Sequence, residues 1–155
     1  MAAPKAKVTL QERFGFLDAD LKKPAHDDMI LWADRNAADI AMLFLKLHKQ
    51  PQVWTDMEHV IKTDKGQIIG FVDLLIQANW GESSERHIYI EAKTELDTLG
   101  NLLRQIRMYQ AGHIRHNSIF VVVAEDDRMA DDLRRQRVEF LRYDPKKSFS
   151  FLGRT

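Results

Sequence analysis

Cysteine is missing from this chain of 155 residues, and glycine and proline are scarce, at seven and four residues. Without thiols the protein cannot contain a disulfide framework, a thiolate nucleophile, a cysteine-ligated zinc site or an iron–sulfur cluster. The few glycines form neither a glycine-rich phosphate loop nor a nucleophile elbow. A generic metabolic α/β enzyme is therefore disfavoured.

Excess charge of one sign and long apolar runs are also missing. The 23 basic and 23 acidic residues cancel, which argues against a polycationic arm that coats nucleic acid. No apolar run approaches the ~20 residues of a membrane span, and Met1–Lys7 precedes no apolar stretch that would make it a signal peptide. We therefore expect a soluble, cytoplasmic protein without membrane partners, whose length suits a single domain over residues 1–155.

Hydrophobic periodicity predicts an α/β domain with the element order α-β-β-β-α-β-α-β. Residues 1–24 are expected to pack on this domain as a lead-in. Apolar side chains then recur at three- and four-residue steps from Pro24 to about residue 48, which indicates one long helix or two helices broken near 34–36. The domain core covers about 25–124, and a short helix and an edge strand follow at 128–143.

Runs rich in β-branched and aromatic residues, bounded by turn signals, predict the strands. They cover residues 52–61, 67–77, 87–93, 118–124 and 137–143. The second strand is apolar on both faces, which indicates a central position in the sheet. Asp97 is predicted to cap a helix over about 98–112. The inner face of that helix is expected to comprise Leu99, Leu102, Leu103, Ile106 and either Tyr109 or Gln110.

Three charged residues interrupt or end strands that are otherwise apolar. Asp73 lies in the middle of the second strand, where a lone buried carboxylate costs several kcal/mol unless it is paired or bound to a metal. A solvated or lysine-paired acid at a sheet edge is the alternative. Glu91 and Lys93 end the third strand, and period-two alternation places both on one face. The same alternation predicts that Asp73 shares its face with Ile69, Phe71 and Leu75.

Two carboxylates on adjacent strands, with an ammonium group beside them, suit metal-assisted hydrolysis of a phosphodiester. Carboxylate oxygens bind a hard cation such as Mg²⁺ or Mn²⁺, which neutralises the phosphate and lowers the pKa of a bound water. A lysine can orient that water or stabilise charge on the phosphorane oxygens. Asp73, Glu91 and Lys93 therefore predict a divalent-metal site with hydrolytic chemistry.

Three short motifs together resemble those of the PD-(D/E)xK, or restriction-endonuclease-like, nuclease superfamily. They are Gly70–Asp73 (GFVD), Glu91–Lys93 (EAK) and Gln105–Tyr109 (QIRMY), and the last resembles the Gln-x-x-x-Tyr element of RecB-like nucleases. The resemblance covers about residues 52–124. It implies a restriction-endonuclease-like αβββαβ core, with a mixed four-stranded central sheet flanked by helices. It also implies that Asp73 and Glu91 are metal ligands and that the carbonyl of Ala92 is a further ligand.

The same resemblance implies roles for the remaining motif residues. Lys93 is the catalytic lysine, Gln105 helps to fix the active site, and Tyr109 contacts substrate or backs the lysine. Gln105 and Tyr109 lie four residues apart and so share a helix face. Boundary positions of an amphipathic helix are the alternative for both. Val72 stands where the first motif usually has proline, and the cysteine-ligated cluster of many RecB-like members cannot form in this chain.

Residues 101–117 contain arginines and histidines but no acid, which favours contacts to phosphate groups. The predicted nucleic-acid contacts are Arg104, Arg107 and Arg115. A solvated helix face is the alternative.

The family often adds another acid to the metal site from its first helix or first strand. The candidates in this chain are Asp28, Asp34 and Glu58. The histidines outside 101–117 lack metal-ligand spacing, and we predict that they are surface or satisfied core residues. These histidines are His26, His48, His59 and His87.

The leading functional prediction is a Mg²⁺- or Mn²⁺-dependent nuclease acting on duplex, single-stranded or branched DNA. A catalytically silent nuclease-like module that binds nucleic acid, or serves as a subunit of a larger complex, is disfavoured because the complete acid–acid–lysine set is present. An RNA-directed nuclease of the same fold is the third hypothesis. No segment resembles a target-recognition domain, so target choice is expected to come from loops, from the second copy in a homodimer or from a partner protein.

Overall fold

The computed structural model describes residues 24–81, 84–112 and 117–146. Within these ranges the chain forms two helices, three strands, a helix, a strand, a short helix and a final strand. This is the predicted order, with the first helix divided in two. The predicted lead-in lies outside the described residues except for Pro24.

The first helical segment consists of α1 (Pro24–Arg35) and α2 (Ala37–Leu45), separated at Asn36. Of the two alternatives that the sequence left open, the structure therefore shows two helices broken near 34–36. Proline suits the first position of α1 because its missing N–H has no partner there in any helix. The second helix ends at Lys46, whose left-handed backbone (φ 54°) closes the last turn.

Five strands form one mixed sheet in the order β1-β2-β3-β4-β5. They are β1 (Gln52–Lys62), β2 (Ile68–Asn79), β3 (Glu85–Lys93), β4 (Ile119–Ala124) and β5 (Glu139–Arg142). The first three are antiparallel neighbours, whereas β4 and β5 run parallel to β3. The mixed sheet of an α/β fold is therefore confirmed, and β5 extends the four strands that the resemblance implied to five.

Helices cover both faces of this sheet. On one face, which we call the α1 face, Met29 and Ile40 of the first two helices pack in a core with Leu74 and Ile90. The opposite face carries α3 (Leu99–Gln110) and α4 (Ala130–Arg135), and we call it the α3 face. The central strand β2 is buried almost throughout, as its apolar character predicted. No helix in the described ranges is long and apolar enough to cross a membrane.

Thr98, rather than Asp97, caps α3. The Thr98 hydroxyl accepts a hydrogen bond from the main-chain N–H of Asn101 at 3.2 Å, which satisfies one of the free donors of the first turn. Asp97 accepts instead from the side-chain amide of Asn101 at 2.6 Å, and this bond is the main cause of the lowered pKa of Asp97. Tyr109, not Gln110, completes the buried face of α3.

Candidate functional site

The central strands β2 and β3 part at the level of Asp73 and Glu91. The ladder between them ends at the Leu74–Ile90 pair, so the two acids are the next residues beyond it on their strands. In the gap, the main-chain N–H of Ala92 donates to Oδ2 of Asp73 at 2.8 Å. The two predicted ligands therefore lie, almost fully buried, where the pairing of β2 with β3 ends, and we call this gap between the two strands the cleft.

A histidine that the sequence did not assign to the site contacts Asp73 from α1. The Nε2 atom of His26 lies 3.2 Å from Oδ2 of Asp73, and the two side chains are only 2% and 5% exposed. His26 was expected to be a surface or satisfied core residue, and it is indeed buried and hydrogen-bonded. Its partner, however, is a candidate metal ligand. The contact spans 47 residues of sequence, so no local spacing signalled it.

Glu91 binds two donors on the α3 face. Its Oε1 atom lies 3.3 Å from Nζ of Lys93 and accepts a hydrogen bond from the side-chain amide of Gln105 at 2.8 Å. The side chain of Glu91 is 4% exposed and that of Lys93 is 13% exposed, so little water screens this ion pair. The prediction that Glu91 and Lys93 share one face is confirmed.

Tyr109 connects the two diverging strands through α3. Its hydroxyl donates to the carbonyl of Phe71 at 2.8 Å and accepts from the amide of Gln105 at 3.0 Å. Because Gln105 also donates to Glu91, one chain of hydrogen bonds runs from the β2 backbone to the β3 carboxylate. Tyr109 is therefore a buried member of the site's polar network rather than a boundary residue of the helix.

Glycine at position 70 makes room for this tyrosine. A Cβ atom added to Gly70 would lie 2.7 Å from Cε1 of Tyr109, closer than carbon atoms approach. We expect Gly70→Ala to destabilise the protein by about 1–3 kcal/mol in urea unfolding, because the ring must shift and strain its two hydrogen bonds. Gly100→Ala is the matched control, since nothing lies within 4 Å of its new methyl group. Equal stabilities of the two variants would contradict this prediction.

The prediction that Asp73 shares its face with Leu75 is wrong. Leu75, expected beside it, packs on the α3 face, whereas Asp73 bonds to His26 of α1 on the opposite face. The cause is a break in the alternation of β2. Val72 and Leu75 pack in the same α3-face core although they are three residues apart, a separation that regular alternation would place on opposite faces.

The three candidates for a further acid lie on different elements and differ in exposure. Asp28 is exposed on α1 and lies near Tyr143, whose pKa is raised chiefly by burial and further by the charges of Asp28 and Glu125. Asp34 is half-buried in the last turn of α1. Glu58 lies in β1 directly opposite Asp73, between the Met57–Leu74 and His59–Val72 pairs.

The arginines predicted to contact nucleic acid lie on the outer surface of α3. Arg104 is exposed and donates to the side chain of Asn101 at 2.6 Å. Arg107 is also exposed and donates to Gln110 at 2.8 Å and to the carbonyl of Gln136 at 3.1 Å. Arg115 lies outside the described residues.

The cleft contains donors that suit a divalent cation, but they are not arranged around one. The carboxylates of Asp73 and Glu91 are oxygen donors of the type that binds Mg²⁺ or Mn²⁺, and the imidazole of His26 is a nitrogen donor of the type that transition metals accept. Across residues 24–81, 84–112 and 117–146, no three acidic or histidine side chains form a group that could hold a metal ion. Asp73 and Glu91 bond instead to protein donors on opposite faces of the sheet.

Comparisons of this chain with protein-family models, with curated proteins and with solved structures found no match.

Proposed function

We propose that this protein is a divalent-metal-dependent nuclease that hydrolyses phosphodiester bonds in DNA, with a site of the PD-(D/E)xK type. The supporting observation is the position of Asp73, Glu91 and Lys93, two buried carboxylates and an ammonium group where two central strands part. Burying two carboxylates on adjacent strands, one of them beside a largely buried ammonium group, is costly for stability. That cost is understandable if the groups act on a charged substrate.

The fit to a divalent ion rests on the donor set. Asp73, Glu91 and the Ala92 carbonyl are the ligands implied by the motif, and His26 adds a buried imidazole beside Asp73. When bound, Mg²⁺ or Mn²⁺ would polarise the phosphate and make water a better nucleophile. Binding requires the carboxylates to turn from the donors they contact now, above all Glu91 from Lys93 and Gln105.

The chain's own residues divide the remaining work. If Glu91 turned toward the ion, the ammonium group of Lys93 would become available to orient the attacking water or to stabilise charge on the phosphate oxygens. Tyr109 would keep its hydrogen bond to the β2 backbone, whereas Gln105, which links Tyr109 to Glu91 in the metal-free protein, would release the carboxylate. Arg104 and Arg107, on the exposed surface of α3, contact the phosphate backbone away from the cleft.

The deciding experiment offers the purified protein single-stranded, duplex and branched DNA, and RNA, with Mg²⁺, Mn²⁺ or a chelator. We expect DNA cleavage with either metal and none with the chelator, because the site has no other source of Lewis acidity for the phosphate. Asp73→Asn should remove cleavage, since it weakens the carboxylate set while preserving the size of the side chain.

Each alternative gives a distinct result in this experiment. Cleavage that survives the chelator, or full activity in Asp73→Asn, would refute the metal mechanism. Cleavage confined to RNA identifies the RNA-directed enzyme. Binding of nucleic acid without any cleavage, unchanged in Asp73→Asn, identifies the silent module.

A further inference from the structure

Strand β1 contains a backbone conformation that strands normally exclude. Four non-glycine residues in the described ranges have a positive φ, and of these only Glu58 (φ 51°) lies inside a strand. The other three, Lys46, Asn117 and Arg137, lie in turns and at a helix end. A left-handed non-glycine residue is strained, and such strain persists only where the surrounding structure enforces it.

The strained residue lies opposite Asp73. The β1–β2 pairs keep one register from Gln52–Asn79 to Ile61–Gly70, and Glu58 and Asp73 are the positions that this ladder omits. An unchanged register on both sides shows that the irregularity involves one residue on each strand. It is therefore a paired irregularity rather than the insertion of an extra residue on one strand.

Both strands reverse their alternation at this point. On β1, the side chains of Asp56 and His59 contact each other at 2.7 Å although they are three residues apart. Their partners on β2, Leu75 and Val72, likewise pack together on the α3 face. Regular strands would place residues at this spacing on opposite faces. We call Glu58 and Asp73 together the alternation break.

The alternation break determines where the Asp73 carboxylate points. Leu74 packs on the α1 face, so in a regular strand Asp73 would face α3. Instead, Asp73 also turns toward α1, where it bonds to His26 and receives the Ala92 N–H. Restoring regular alternation would therefore move the carboxylate away from both donors.

We propose that Glu58 is a positioning residue whose left-handed backbone, not its carboxylate, turns Asp73 toward His26 and into the cleft. The inference extends the proposed nuclease function and relies on it for its consequence in metal binding. The orientation of Asp73 itself can be measured without metal or substrate. Residues held in strained backbone conformations cluster at active sites and ligand clamps, where the surrounding structure enforces them.

Two substitutions at position 58 separate the backbone from the side chain. Glycine adopts a positive φ readily, so Glu58→Gly keeps the alternation break while removing the carboxylate. A β-branched residue strongly disfavours that conformation, so Glu58→Thr drives β1 toward regular alternation. Arg137→Thr is the matched control, because Arg137 has a similar φ of 61° in the turn before β5.

The direct measurement is the hydrogen-exchange protection of the Ala92 amide proton, observed by NMR. The Asp73→Ala variant gives the level of protection expected when the hydrogen bond to Asp73 is absent. We expect Glu58→Gly and Arg137→Thr to retain the protection of this amide, and Glu58→Thr to lose it. Calorimetric affinity for Mn²⁺ should fall about tenfold or more in Glu58→Thr alone, as for other changes that misorient a metal ligand. If Glu58→Thr does not fold, Glu58→Ala provides a milder form of the same test.

Two results would overturn the proposal. Loss of Ala92 protection or of Mn²⁺ affinity in Glu58→Gly would assign the role to the carboxylate. Retained protection in Glu58→Thr would show that Asp73 does not need the strained backbone. If the unmodified protein neither binds Mn²⁺ nor cleaves DNA, the nuclease function fails, and the Ala92 amide still decides whether Glu58 orients Asp73.

Discussion

Replacing Lys93 with methionine should lower the rate of DNA cleavage by about 10²–10³-fold, the usual effect of removing one group that stabilises transition-state charge. The methionine side chain fills the same partly buried space but has no charge and donates no hydrogen bond. Mn²⁺ affinity should not fall, because Lys93 is not among the proposed ligands and its loss removes one of the donors that Glu91 must leave to bind the ion. The measurement is single-turnover cleavage at saturating metal, together with Mn²⁺ calorimetry.

Two further variants test whether the loss of cleavage is specific to the ammonium group at position 93. Lys62→Met removes an exposed lysine at the end of β1 and should cleave as the unmodified protein does. Lys93→Arg should remain strongly impaired, because a planar guanidinium does not replace a compact ammonium group at a fixed position. Cleavage by Lys93→Met at the unmodified rate would remove Lys93 from the catalytic machinery and would favour the silent-module hypothesis if DNA binding persists.

Lys93→Met also changes the stability of the metal-free protein. Glu91 would keep the amide of Gln105 but lose the charged partner at 3.3 Å, in a side chain that is 4% exposed. A buried carboxylate that loses a donor costs about 1–3 kcal/mol. Urea unfolding should reveal this loss, and activity must therefore be measured where the variant remains folded.

Local periodicity predicted most of the secondary-structure elements, because their formation depends mainly on residues that are close in sequence. The five strands follow from alternation and turn residues, whereas helical spacing left open whether α1 and α2 were one helix or two. The cap of α3 was misassigned by one residue. Asp97 and Thr98 are both good capping residues, and the choice between them depends on backbone angles that composition does not encode.

The candidate site was predicted only in part, for two physical reasons. Glu91 and Lys93 were correctly predicted to share a strand face, and Gln105 and Tyr109 a helix face, because alternation and helical spacing hold along β3 and α3. The direction of the Asp73 side chain was not predicted correctly. It depends on the left-handed backbone of Glu58, and no residue preference indicates such a conformation inside a strand. The contact of Asp73 with His26 depends in turn on how α1 packs against the sheet.

His26→Ala should weaken Mn²⁺ binding by about 10–100-fold, the range seen when support for a metal site is removed. The imidazole lies 3.2 Å from the Asp73 carboxylate and is 2% exposed, so a divalent ion bound by Asp73 would lie within reach of its Nε2 atom. His48→Ala is the matched control, since His48 is exposed beyond the end of α2. Calorimetry with Mn²⁺ measures both variants against the unmodified protein.

A ligand role and a structural role for His26 differ in their linkage to metal. If His26 neither binds the ion nor orients Asp73 for it, removing His26 lowers the free energy of unfolding equally with and without metal. If it binds the ion, the stability gained from metal also shrinks. A concentration of Mn²⁺ at 100 times the dissociation constant adds about 2.7 kcal/mol to the unmodified protein. A tenfold weaker site gains only about half of this at the same concentration.

His26→Gln completes the separation of the two roles. Its amide can still donate to Asp73, so the metal-free stability should recover part of what His26→Ala loses. An amide nitrogen does not bind Mn²⁺ as imidazole does, so the metal-dependent gain should stay small. If both His26 variants gain as much stability from Mn²⁺ as the unmodified protein does, the ion is bound by Asp73, Glu91 and the Ala92 carbonyl without His26. His26 would then be a buried partner that holds the Asp73 carboxylate in place before metal arrives.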